Sequence, residues 1–486
     1  MQPASSGTRS LTLLQINDIH GYMEPHPCLF WEGGGLAHRT GGGLARVAHV
    51  LDGVRRSAEG AVITLDSGDS IHGTYPAVHT RGEALVEPLN LLGLDAWTGH
   101  WDFAWGIDRL REIAGRLGHP FLACNCYLSG SDTHAFPPTL LIERGGVRVG
   151  IVGIAATIVD KTMPEHFGEG LRFTLGNEEL PGHIAELRGA GRADVVVVLS
   201  HLGFPQDVKL AGEVPGIDVI LSGHTHNRID APFVVGGTAI IQSGCHGDFV
   251  GRLDLRIDDG RMRVVNHRLI PVDDTVPDHP AVRAAVERAM SPHRPTLAEV
   301  VGQTATDLNR GTFLESTMDN LLLAAIAETA GTGIAFSNGW RYGAPVPRGP
   351  IRLNDLWNMI PGNPPVSVVD LSGQEMREMI EENLERSVSA DPYRQMGGYL
   401  KRSLGLRQCI KLENPKGGRL QELFALGQAV EPDRLYRVAF VTAQGVPAGL
   451  GQHRRNLDTS AIDSLLSYCQ GRSRVVADLR GDTIVV

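Results

Sequence analysis

Five short motifs hold most of the residues in this chain that could do chemistry. They are Asp18-Ile19-His20, Gly68-Asp69, Gly99-His100, Ser200-His201 and Gly223-His224-Thr225-His226. Residues two apart on extended backbone point to one side, so Asp18 with His20 can grip one ion, and His224 with His226 repeats the device. A carboxylate such as Asp69 can bridge two cations and offset their charge. Mixed carboxylate and imidazole donors suit manganese, zinc or iron better than calcium or magnesium. Two ions about 3.5–4 Å apart would hold a hydroxide and clamp a tetrahedral anion. The expectation is two divalent metal ions, manganese first, with zinc or iron as alternatives. Taken singly, loop His and Asp residues usually cap turns. It is the shared placement of all five motifs that points to metal.

That placement follows from the elements around them. Strands are expected at 11–16, 61–65, 121–126, 147–154, 194–199, 218–221 and 238–242. Several are β-branched runs without alternation, as in strands buried on both faces. Helical apolar spacing falls at 43–57, 82–92, 108–117 and 180–189. Together they predict an α/β layered domain. Each motif lies just past a strand or apolar run, the third after residues 91–97. Loops at strand C-terminal ends converge on one rim, where ligands bind. Segments 252–257 and 261–269 read as a hairpin with an Asp-Asp-Gly turn that closes the domain. The glycine runs 33–35 and 41–43 lack the Lys-Ser/Thr pair of a phosphate loop and read as a mobile active-site loop.

Residues 272–280, rich in Asp and Pro, read as a linker, and 281–290 as an amphipathic connecting helix. A second domain starts near Val300, with helices at 319–329 and 373–387 and strands at 333–337 and 435–442. The expected division is 9–272 for the catalytic domain, 273–299 for linker and helix, and 300–486 for the second domain.

Composition narrows the function classes. The chain has 486 residues, too many for one ordinary domain. A hydrophobic share of 42% rules out wholesale disorder. The 59 glycines and 28 prolines fit many tight loops on a regular scaffold. The net charge of −10, without a basic stripe, argues against a nucleic-acid partner. No apolar run is long enough to span a membrane. The first ten residues are polar, so the chain as it stands reads as cytoplasmic, or as periplasmic if a leader has been removed. Six cysteines are too sparse for a disulfide framework, and Cys124 with Cys126 reads as core packing.

The extended motifs carry a resemblance. Asn17-Asp18-Ile19-His20-Gly21, Asp66-Ser67-Gly68-Asp69-Ser70, Thr98-Gly99-His100-Trp101-Asp102-Phe103, Ser200-His201-Leu202-Gly203 and Ser222-Gly223-His224-Thr225-His226 resemble the calcineurin-like metallophosphoesterases. More narrowly, the chain is similar to the two-domain 5′-nucleotidase group, and within it to the SoxB-type thiosulfohydrolases. The resemblance implies a layered metallophosphoesterase β-sandwich flanked by helices, plus a smaller α/β domain of the 5′-nucleotidase C-terminal type. It implies that Asp18, His20, Asp69 and His226 hold one metal, and Asp69, His100, His201 and His224 the other.

One departure bears on the substrate. Most relatives carry Gly-Asn-His-Glu/Asp as the third motif, and its His protonates the leaving alkoxide. Here His100 takes the metal position and Trp101 the acid's position, as in SoxB. An indole cannot protonate a leaving group. Losing a general acid costs about 10²–10⁴-fold on a poor leaving group, and little when the leaving group is a stable thiolate or persulfide. In the second domain, Asn338-Gly339-Trp340-Arg341 resembles the family's substrate-binding element, and residues 391–398 with Arg402 resemble another SoxB segment. Arg341 and Arg402 offer forked cations for an oxyanion. The candidate catalytic groups are therefore Asp69, His100, Arg341 and Arg402, with Asn338, Arg341 and Arg402 binding substrate. The stretches 360–363 and 441–444 lack the aromatic rings that clamp a base; Trp340 or Tyr342 would have to substitute.

The expected function is a dinuclear-metal hydrolase acting on a small anionic substrate or a carrier-protein cysteine adduct, leaning to S-thiosulfonate hydrolysis. The alternatives are a 5′-nucleotidase or other phosphomonoesterase, and a non-catalytic metal-binding module.

Overall fold

The computed structural model describes residues 8–190, 192–258 and 261–486. The chain divides into two compact units. One holds the chain up to His26 with Thr40–Pro292; the other holds Pro27–Arg39 with His293–Val486.

The first unit is built on two sheets. One runs in the order Arg261–Pro271, Phe249–Asp258, Arg9–Ile16, Ala61–Asp66, Ala96–Trp97. The other runs Phe233–Val235, Thr238–Ile241, Val219–Leu221, Val195–Ser200, Val147–Ile154, Thr139–Arg144. The strands that feed the motifs run parallel to one another within each sheet, while Phe249–Asp258 pairs antiparallel with Arg9–Ile16. Leu11, Leu13, Ile63 and Leu65 from the first sheet meet Val149, Val197, Leu199 and Leu221 from the second in one core. The alternate residues Val196 and Val198 turn the other way, onto Ile184, Leu187 and Leu210 of the covering helices. This is why Val195–Ser200 is apolar at nearly every position: both of its faces are buried. The layered sandwich with helices outside is the α/β architecture expected from the strand pattern.

Local differences have physical reasons. Residues 121–126 form a strand only from Cys126 to Leu128, because Phe121 makes a single bridge to Trp97. The two cysteines are free and buried, and burial pushes both thiols up. The closing hairpin is present as Phe249–Asp258 and Arg261–Pro271, but residues 259–260 of its expected turn lie outside the described residues, as do 1–7 of the polar N-terminal segment. The first glycine run is not an open loop. It turns a hairpin between His26–Glu32 and Gly35–Gly41, with Gly33 and Gly34 at φ 56° and 82°. The helix Pro280–Met290 packs within the first unit, pairing Arg288 with Glu87.

The second unit centres on a sheet ordered Tyr399–Leu404, Ile334–Gly339, Leu435–Phe440, Pro365–Ser372, Gln452–Ser460. Its central pair, Ile334–Gly339 and Leu435–Phe440, is parallel. Thr317–Ala330 starts at Ser316, whose hydroxyl accepts from the Asp319 N–H, and stops at Gly331 in the left-handed region. Gly373–Val388 opens with a Ser372/Glu375 capping box. The last expected strand ends early, at Phe440, because Thr442 turns to φ 61° and starts the short helix Thr442–Gly445. Among the described residues no helix is long and apolar enough to cross a membrane.

Candidate metal centre

The parallel strands of the two sheets deliver the seven expected ligands to two groups. Asp69, His100, His201 and His224 form one; Asp18, His20 and His226 form the other. Within each group the donor atoms lie within 4.8 Å of one another. Asp69 Oδ2 stands 3.2 Å from His201 Nε2, 3.5 Å from His100 Nδ1 and 3.6 Å from His20 Nε2. It therefore faces imidazoles of both groups. Asp18 Oδ1 stands 3.2 Å from His226 Nε2, which is itself 3.2 Å from His20 Nε2.

These distances fit a metal centre. The ring nitrogens of His100 and Nε2 of His201 are buried without hydrogen-bond partners among the described residues. They approach the carboxylates without aligning on them, as donors do when they converge on a point between them. A purely structural cluster would have aligned its donors and acceptors. The residues thus fit two divalent ions, with Asp69 placed to be shared. Burial alone would raise the Asp69 carboxyl, but the imidazoles of His201, His100 and His20 outweigh it and hold it well below the usual range.

The backbone holds these donors under strain. Asp18, His20, Asp69, His224 and His226 all have φ between 50° and 70°. A non-glycine residue there costs roughly 1 kcal/mol or more, and persists only where the surroundings over-determine it. Part of that constraint is visible. Asp102 accepts the backbone N–H groups of Asp69 at 2.8 Å and of Ser70 and Ile71 at 3.0 Å, so it braces the Asp69 loop. Asn17 donates to Asp18 Oδ2 at 2.7 Å, and the His224 N–H points at the same carboxylate. Gly68 permits a close approach: a Cβ there would meet the Thr98 carbonyl at 2.5 Å.

Some residues that matter were not singled out in the sequence. Asp102 is one of them: its carboxylate is taken up by backbone N–H groups. His246 follows the strand Thr238–Ile241, shares the left-handed conformation at φ 56°, and donates its backbone N–H to the Asp18 carbonyl. Its position past a strand was a usable signal. His72 stacks on Trp101 with ring centroids 4.9 Å apart and planes 20° apart. Burial lowers His72 to about 3, so it is neutral. Trp101 also meets Phe167 edge-on, and its backbone N–H donates to Asp69 Oδ1 at 2.6 Å.

With this geometry in hand, comparison with known proteins places the chain. Residues 11–228 match the calcineurin-like phosphoesterase family, and residues 300–443 match the 5′-nucleotidase C-terminal domain. The chain joins a calcineurin-like phosphoesterase domain to a 5′-nucleotidase C-terminal domain. That makes it a metal-dependent hydrolase by family. The sulfate thiohydrolase SoxB of Thermus thermophilus, solved with glycerol, is 26% identical with a TM-score of 0.91, covering 100% of this chain and 98% of that one. A 5′-nucleotidase precursor, also from Thermus thermophilus, is 25% identical with a TM-score of 0.86, covering 98% and 99%. The trifunctional nucleotide phosphoesterase YfkN of Bacillus subtilis is 24% identical over 91% of this chain, which spans about a third of YfkN, 32%.

In the domain that matches the 5′-nucleotidase C-terminal family the expected substrate residues separate. Asn338 and Arg341 are half-buried at the C-terminal end of Ile334–Gly339. Arg402 is 2% exposed. Its Nε donates to Asp319 at 3.0 Å, and its terminal nitrogens donate to the carbonyls of Phe313 and Thr312. It ties its own unit together and has no surface to offer an oxyanion. Trp340 and Tyr342 are 5% and 6% exposed, with the Arg310 guanidinium 5.4 Å from each ring. Neither presents a face on which a base could stack.

Proposed function

We propose that this hydrolase cleaves a small tetrahedral anionic ester whose leaving group needs no proton, with an S-thiosulfonate as the preferred class. The observation that carries the reading is Trp101. It takes the position where the family's acid would stand, and its ring meets the neutral His72 and the Phe167 ring. Neither the indole nor these two rings is suited to protonate an alkoxide near neutral pH. A thiolate, the anion of a group that ionises near pH 8.5, departs unaided far more easily than an alkoxide.

Asp69, His100, His201 and His224 would hold one ion, and Asp18, His20 and His226 the second, with Asp69 shared. Two such ions would activate a water and neutralise the charge of the anion. Manganese is the first choice and zinc or iron the alternatives, since five imidazoles disfavour calcium and magnesium. The chain's own residues do the positioning. Asp102 fixes the Asp69 loop, Asn17 and the His224 N–H orient Asp18, and the Trp101 backbone N–H holds the second oxygen of Asp69. In the other unit, Arg341 and Asn338 are the proposed substrate contacts. Arg341 supplies a forked cation for an anionic oxygen.

A phosphomonoester is the second reading, favoured by the C-terminal domain match and by the likeness to the 5′-nucleotidase precursor. The buried Trp340 and Tyr342 weigh against a nucleotide within it. The test is turnover, with manganese, zinc or iron restored, of a cysteine S-thiosulfonate, nucleoside monophosphates and p-nitrophenyl phosphate. Turnover of the thiosulfonate well above the others supports the first reading. Efficient turnover of nucleotides refutes the leaving-group argument.

A further inference from the structure

Lys401 is a lysine where none is expected. It is 7% exposed, and no carboxylate pairs with it among the described residues. Its ammonium donates to the backbone carbonyls of Gln444 at 2.5 Å and Gly445 at 2.7 Å. Burial brings the ammonium down to about 7, and the like charge of Arg386 adds to the shift. A buried cation held by two carbonyls is a costly way to fix a turn. The turn it fixes is Thr442–Gly445, at the C-terminal end of Leu435–Phe440 and beside the end of its parallel neighbour Ile334–Gly339. In an α/β sheet that is where ligands bind.

The side chain of Gln444 carries the argument further. Trp340 Nε1 donates to Gln444 Oε1 at 3.0 Å. An indole nitrogen can only donate, so Gln444 must turn its oxygen inward. Asn338 Nδ2 donates to the same oxygen at 3.3 Å. Asn338 must then point its own oxygen the other way, where it meets no partner among the described residues. Trp340 cannot relax this arrangement, because Arg310 and Tyr342 pack on its ring.

We infer that Lys401, Gln444 and Trp340 are positioning residues that fix the polarity of this rim, so that Asn338 presents a carbonyl oxygen to a substrate bearing an N–H or O–H donor beside its anionic head. This rests on the proposed reading, in which Asn338 and Arg341 meet substrate, and it narrows that reading: a bare alkyl ester lacks the donor, whereas an amino-acid adduct or a sugar ester has it. A hydrogen bond of this kind is worth a factor of about ten in affinity.

The experiment compares two pairs of esters: a cysteine S-thiosulfonate with an ethyl S-thiosulfonate, and ribose 5-phosphate with ethyl phosphate. In the metal-loaded full chain, the donor-bearing member is expected to show the lower KM. Trp340→Phe and Lys401→Met should each raise that KM about tenfold while leaving the ethyl ester's KM and both kcat values within about twofold. In an Asn338→Ala background the Trp340→Phe effect should vanish, since it acts through Asn338. An effect of equal size on the ethyl esters, or one that persists in full without Asn338, overturns the inference. If the wild type turns over none of the four, the proposed substrate class fails instead. The inference is then read from equilibrium binding of ribose 5-phosphate against ethyl phosphate in the same variants. The same tenfold coupling supports it, and its absence overturns it.

Discussion

The two units use charged residues in opposite ways. In the first, polar groups are gathered at strand ends and left without internal satisfaction: His100 and His201 are buried with unmatched nitrogens, and five of the seven expected ligands sit in a strained backbone conformation. In the second, the buried carboxylate of Asp319 is consumed internally. Asp319 takes Arg310 on one oxygen and Arg402 on the other, at 2.9 and 3.0 Å. The contrast teaches that burial of charge does not by itself mark a functional site. What marks it is burial with the hydrogen-bonding capacity unspent.

The sharpest way to break that contrast is to remove the shared ligand. Asp69→Asn should lose bound metal and activity together, by more than about a hundredfold, beyond what outer partners of a metal site cost. Metal content by elemental analysis beside turnover checks it; retention of two ions would refute the bridging role. Next comes the pair of arginines. Arg402→Ala should destabilise the protein by about 3–5 kcal/mol, because it leaves Asp319 short of a partner in a buried site. Arg341→Ala should lower the unfolding midpoint less than Arg402→Ala does, and raise KM. Urea denaturation and steady-state kinetics on both variants separate the roles. The opposite pattern would mean that the internal bonds of Arg402 are not what holds it.

The same contrast explains what the sequence could disclose. The seven ligand positions were legible because a strand's end is legible: an apolar β-branched run such as Val195–Leu199 stops, and Ser200-His201 follows. The sandwich was legible for the same reason. Arg402 misled because its sequence neighbourhood resembles a substrate segment, while its fate depends on Asp319, 83 positions away. Nothing local records such a pairing. The hairpin in Pro27–Arg39 was missed because glycine runs read alike in a turn and in an open loop. Asp102 and His246 were within reach, being polar residues at or just past the same rim. Their role is to hold backbone, however, and backbone bonding leaves no pattern in residue types.

The smallest expected effect sharpens the comparison at Lys401, a buried cation of the second unit that no carboxylate answers among the described residues. Its pKa falls from an ordinary 10.5 to about 7 in the folded protein. The unfolded chain therefore binds the proton more tightly, and between about pH 7 and 10.5 it carries more protons on this residue than the native state does. Stability contributed by this group rises with pH across that window, and the penalty is greatest below pH 7. Asp319 does not relieve it, being engaged by Arg310 and Arg402, and Asn383 meets only the Lys401 backbone N–H. Arg386 adds to it. Asp66 and Asp207, raised to about 7 by burial, titrate nearby in pH, so the wild type alone cannot report the effect. The difference in denaturation midpoint between wild type and Lys401→Met can. It should move in favour of the wild type as pH rises from about 6.5 to about 9. A difference that stays flat would mean that the ammonium is as well solvated inside as out, and that the Gln444 turn is held by packing rather than by charge.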